Sequence, residues 1–95
     1  MKTYISGAIS GTEDYIERFA KAEQELTEHG HTVINPAAVN GQLPKDTLYE
    51  EYMNMSICML DMCDAIYMLK GWEKSCGANR EYGYALASNK IIMKE

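Results

Sequence analysis

The chain has 95 residues, room for a single domain spanning residues 1–95 with a thin core, because a chain of this size buries only roughly 60–65% of its unfolded surface. Its 46% hydrophobic and 24% charged content is that of a globular protein rather than a disordered one. The net charge of −5 argues against nucleic-acid binding, which relies on Lys and Arg neutralising phosphates, and no apolar run approaches the ~20 residues of a membrane span.

Other exclusions are local. The start, "MKTYISGAIS", is too short and too polar for a signal peptide. Cys58, Cys63 and Cys76 are an odd set with no paired motif, which fits free thiols and a cytoplasmic location. His29 and His31 lie two apart at an expected helix end, and there is no other histidine, so no metal or other cofactor is expected.

In chain order, "TYIS" (3–6) is a β-branched and aromatic run that reads as the first strand. "GAISGT" (7–12) is a glycine-bracketed loop in which Thr12 is a candidate N-cap. A helix is predicted from Glu13 to His29, with Ile16, Phe19, Ala20 and Leu26 on one face and Gly30 ending it. "TVIN" (32–35) is a second strand, and residues 36–46, with Pro36, Gly41 and Pro44, read as a loop. A second helix is predicted over 47–62. "DAIYML" (64–69) is a continuous apolar strand of the kind buried on both faces of a parallel sheet. After "KGWEKSCG" come a third helix over 77–88 and a last strand, "KIIM" (90–93).

The order βαβαβαβ predicts an α/β fold: a small doubly wound, flavodoxin- or Rossmann-like parallel sheet of about four strands in order 2-1-3-4, with three helices. Ligands in such sheets bind beyond the carboxyl ends of the strands at the switch point, here between strands one and three. The second helix, with "YMNMSICMLDMC", is apolar almost all round, which predicts a homodimer through 47–62; a deep core helix is the plainer reading.

Two loops meet at the switch point. In "KSCGANRE", a helix starting near Gly77 leaves backbone N–H groups free, so Ser75, Gly77 and Ala78 can hold a phosphate or carboxylate; equally, Ser75 can simply cap the helix. Glu81, one turn on, reads either as a solvated helix residue or as a carboxylate able to attack a sugar carbon. The backbone of "GAISG" turns sharply or approaches a ligand. Tyr4 is a strand tyrosine, buried by default. Trp72 could stack on a base or lid the core.

Taken together, "YISGAISG", "VINPA", "CDAIYML" and "GWEKSCGANREYGYALA" resemble the nucleoside 2-deoxyribosyltransferase superfamily, most closely a short bacterial and phage branch related to the 2'-deoxynucleoside 5'-phosphate N-hydrolases. The resemblance covers nearly the whole chain. It implies a small-molecule nucleoside or nucleotide as partner and cleavage or transfer at the N-glycosidic bond. It puts the nucleophile at Glu81, its supporting tyrosine at Tyr4 and the phosphate-holding turn at Ser75 and Gly77, with Ala78 beside them. First-loop residues Gly7, Ala8, Ile9 and Gly11 fall on the substrate side. Two positions depart from the pattern: the relatives' second-helix aspartate is Ser56 here, and a first-loop serine of the hydrolases is Ala8. The lost acid implies an unusual base, a better leaving group or an acid from a partner subunit. It also keeps open a non-catalytic nucleotide-binding module.

Overall fold

A computed structural model describes all of residues 1–95. Four strands form one parallel sheet: β1 (Lys2–Ser6), β2 (Thr32–Ile34), β3 (Ala65–Met68) and β4 (Ile91–Lys94), in order β2-β1-β3-β4. Tyr4 sits at the centre of the register, opposite Ile34 on one side and Ile66 on the other. The helices are α1 (Tyr15–Glu28), α2 (Pro36–Asn40), α3 (Tyr49–Asp61) and α4 (Cys76–Ala87), with a 3-10 turn at Trp72–Lys74 before α4.

The doubly wound arrangement follows from strand periodicity. Alternate side chains point to opposite faces of a strand. Tyr4, Ile66 and Met68 therefore enter a core with Leu60 of α3 and with Ala78 and Ala85 of α4. Ile5 and Leu69 enter a second core with Phe19, Ala22 and Leu26 of α1 and Ala37 of α2. The sheet is covered on both sides, which permits the unbroken apolar run of β3.

The departures from expectation have local causes. Residues 36–46 are not all loop, because "NP" writes a helix start: the Asn35 Oδ1 accepts the Ala37 and Ala38 N–H groups at 3.0 and 3.4 Å, and Pro36 fills the first helical position. The fold thus has four α-helices rather than three. Thr12 does not cap α1; its hydroxyl donates to the Ile9 carbonyl at 3.0 Å, closing the loop instead. Within α1 the buried row is Phe19, Ala22 and Leu26, whereas Ile16 and Ala20 face solvent. Gly30 does end α1, with φ +89°. The Gly30 and His31 N–H groups bond back to the Thr27 and Leu26 carbonyls, the paired closure of a Schellman motif. In α3 only Met53, Ser56 and Leu60 are buried, while Met55 and, just past the helix end, Met62 are open to solvent. No helix is long and apolar enough to cross a membrane.

Candidate active site

The sheet supplies two hydroxyls to one point. Tyr4 and Ser6 are two apart on β1 and so share a face, the one turned to α3 and α4. On α4, Ala78, Glu81 and Ala85 form the row packed on that face. An amphipathic helix would put an apolar residue at the middle position; here it is glutamate, only 7% exposed. The Tyr4 hydroxyl donates to Glu81 Oε2 at 2.5 Å and the Ser6 hydroxyl donates to Oε1 at 2.6 Å, so each carboxylate oxygen is held. Short O–H···O⁻ bonds of this kind are strong and directional.

Burial pushes the Glu81 carboxyl up from its ordinary value of 4.5, and the Ser6 and Tyr4 hydroxyls oppose the shift. Burial, then the Glu81 charge, hold the Tyr4 phenol well above its usual range, so Tyr4 stays a proton donor to the carboxylate. No Lys or Arg pairs with Glu81. Because its folded-state value lies above the unfolded one, this carboxyl contributes stability that is complete below about pH 4.5 and is lost as pH rises through the raised value. Glu81→Gln has no charge to bury. At pH 7 its melting temperature is expected to match or exceed that of the wild type, with the gap closing toward pH 4.5. A series of thermal melts across this range checks the sign; a variant several degrees less stable at pH 7 would contradict it.

Glu81 forms part of the wall of a cavity of about 830 Å³. That volume lies within the range of small-molecule sites. Gly7 and Ile9 of the first loop and Ser75, Gly77 and Ala78 of the α4 start border it. A Cβ at Gly7 would stand 3.0 Å from the Leu69 side chain, so a larger residue there would have to push Leu69 aside for the first loop to pass so near the end of β3. A Cβ at Gly77 would meet Met53 Sδ at 3.3 Å and the Tyr49 hydroxyl at 3.5 Å, which shows how closely α3 and the α4 start pack. The Ser75 Oγ accepts the Ala78 N–H at 3.2 Å, so Ser75 is an N-cap and also a cavity residue. The Asn79 amide donates to the Glu73 and Ser75 carbonyls and pins this turn.

The remaining expected residues lie elsewhere. Tyr4 is fully buried and off the cavity wall, and its hydroxyl meets two wall residues, Glu81 and Ser56. Ala8 and Gly11 are on the first loop but off the cavity wall. Trp72 is also off the wall. Its ring packs against Tyr82, with centroids 4.6 Å apart, under the Lys94 ammonium, because the 3-10 turn carries it back over the α4 and β4 side. The Trp72 ring is thus a lid on the core rather than a stacking surface in this cavity.

The sequence reading passed over several wall residues. Tyr15, Tyr49 and Tyr52 bring aromatic rings from α1 and α3, and Lys45 and Lys74 bring positive charge. Asn40, from the unexpected α2, lines the cavity, and its buried Oδ1 has no partner. Ser6 was also missed, although its place two residues after Tyr4 was the available signal. Ser56, 4% exposed, lines the cavity from α3. Glu81 is the only carboxyl side chain on the wall, and no histidine joins it.

This sheet order with its helices is the fold of the 2-deoxyribosyltransferases. The chain is similar to the 2-deoxyribosyltransferase of the psychrotolerant bacterium Bacillus psychrosaccharolyticus, with TM-score 0.79 and 20% identity over 99% of this chain and 71% of that one. It is likewise similar to the 2-desoxiribosyltransferase of Leishmania mexicana, with TM-score 0.71 and 24% identity over 98% of this chain and 62% of that one. The chain therefore spans less than two thirds of the Leishmania protein's length. It belongs to the family described as "Domain of unknown function (DUF4406)", which it matches over residues 1–94. No curated protein matches it in sequence.

Proposed function

We propose that this protein processes a nucleoside or nucleotide, with Glu81 attacking the sugar carbon of the N-glycosidic bond. The observation that carries the proposal is a buried carboxylate without a cationic partner, held by two hydroxyls at the wall of a ligand-sized cavity. A carboxylate so placed can displace a base and form a glycosyl ester, which water or an acceptor base then resolves. Tyr4 and Ser6 are the positioning residues: they fix the carboxylate's orientation and oppose the upward push of burial on its pKa. The free N–H groups at the start of α4, with Ser75 and the nearby Lys74, suit an anionic group on the substrate. The tyrosines suit a flat base. The fold shared with two 2-deoxyribosyltransferases supports the same reading.

A second reading is a nucleotide-binding or sensing module without turnover. It is favoured by the solitary carboxyl on the wall, since glycosidases usually employ two. Incubation with a panel of deoxynucleosides, ribonucleosides and their monophosphates separates the two. Free base marks the enzyme; ligand-induced rises in melting temperature without free base mark the binder.

For assembly, we propose a cytoplasmic homodimer joined through α3. Met55 on that helix is 37% exposed and Met62, which caps its end, 60%, apolar area suited to an interface. Sedimentation at micromolar concentration is expected to return the mass of two chains; a single-chain mass would remove the dimer.

A further inference from the structure

The cavity wall holds a nucleophile and lacks an acid, and this bears on what can leave. A neutral purine or pyrimidine departs poorly as an anion, so cleavage of its glycosidic bond normally needs a proton delivered to a ring nitrogen. A positioned acid of suitable strength supplies roughly 10²–10⁴-fold in rate. The only carboxyl on the wall is Glu81, whose two oxygens each accept a hydroxyl hydrogen bond and are committed to the attacking role. No histidine lines the cavity, and α3 offers the Ser56 hydroxyl. Lysine, tyrosine and cysteine side chains, all present on the wall, are far weaker acids than a carboxylic acid.

We infer that the substrate is an N-glycoside of a cationic heterocycle, an N-alkylated purine or a pyridinium, whose base leaves as a neutral molecule with no proton supplied. This rests on the attack by Glu81 proposed above. Electrostatics favours the same class. A buried anion with no cationic side chain beside it is expensive to maintain, and a positively charged ring next to the sugar would compensate it. Tyr15 and Tyr52 line the cavity, and aromatic rings attract such a cation. Lys45 and Lys74 are exposed and therefore screened, and they suit a substrate phosphate rather than the base.

The chemistry balances without a further reactant. A Glu81 carboxylate oxygen forms a bond to the anomeric carbon as the bond from that carbon to the cationic ring nitrogen breaks. The bonding pair stays on nitrogen, and the ring leaves neutral. Water then attacks the anomeric carbon, the ester bond breaks back to the Glu81 carboxylate, and one proton passes to solvent. Net, a cationic glycoside and water give free sugar, neutral base and a proton.

Two matched pairs isolate the charge of the leaving group. One is 7-methyl-2'-deoxyguanosine against 2'-deoxyguanosine. The other is nicotinamide mononucleotide against its neutral 1,4-dihydro form. Base release by the wild type is followed for each, with the rate in buffer alone subtracted. The cationic member of at least one pair is expected to show a kcat/KM about 100-fold or more above its neutral partner, the size of the missing acid's contribution. Similar turnover of charged and neutral members would overturn this inference while leaving Glu81 as nucleophile intact. Release from neither member of either pair, with neutral deoxynucleosides of the panel also inert, would overturn both.

Discussion

Glu81→Gln is expected to lower turnover of any substrate by about three orders of magnitude or more, with ligand affinity changed only a few-fold. The amide keeps the size and shape of the carboxyl. Tyr4 and Ser6 are hydroxyls, so each can accept from the new N–H₂ group or go on donating to the carbonyl oxygen. What disappears is the anion proposed to form the glycosyl ester, an interaction made in the transition state and not in substrate binding. The loss should fall on kcat with KM little affected. A variant that turns over at the wild-type rate would place the nucleophile elsewhere. A wild type with no turnover to lose, yet with a measurable ligand, would favour the binding module.

Ser56→Asp is the complementary change. Ser56 lines the same cavity and is 4% exposed. An aspartic acid there would be desolvated and would face the Glu81 charge, two effects that both favour its protonated form. It would offer the proton the present wall lacks. Release of a neutral base from a deoxynucleoside is expected to rise by roughly 10²–10⁴-fold, measured as kcat/KM on the same substrate before and after the change. An unchanged rate in a folded variant would mean that proton delivery to the base is not what limits this site.

Much of this arrangement could be read from the sequence because it rests on period and punctuation. The β-branched runs, the alternation of strands with amphipathic segments and the glycine after α1 set the parallel sheet and its 2-1-3-4 order. Position alone leaves Glu81 open between a solvated residue and a nucleophile and Tyr4 a buried strand residue, and the resemblance singles them out, since neither composition nor spacing says that a helix glutamate is buried. What escaped the reading depended on three-dimensional register. Ser6 becomes a partner of Glu81 only when β1 is packed under α4, although its spacing from Tyr4 already put both on one face. Asn35-Pro36 reads as a stop after the second strand because proline interrupts regular structure, but asparagine before proline also begins a helix. The path of Trp72 is set by a 3-10 turn whose direction no local pattern announces. The exposed side of α1 shows the limit of periodicity: Ile16 fits an apolar stripe and lies 62% exposed, because Phe19, Ala22 and Leu26 suffice to cover the sheet at that position.

The joint role of Tyr4 and Ser6 also accounts for a local conflict in the fold. A carboxylate in the buried row of α4 is destabilising unless its oxygens are satisfied, and both are satisfied by strand hydroxyls rather than by a cation. A positive side chain in their place would hold the carboxylate ionised more firmly but would weaken the attack proposed for it and repel the positive charge such an attack develops on the sugar. Hydroxyl donors hold the orientation and leave the negative charge available.

The most direct test of Glu81 as the attacking group is mass spectrometry of the protein quenched with acid during turnover. A fraction of chains is expected to be heavier by one glycosyl group, with the added mass on the peptide that contains Glu81 and absent from Glu81→Gln. Rapid turnover with no added mass under conditions that slow the second step, or added mass on a peptide lacking Glu81, would contradict it.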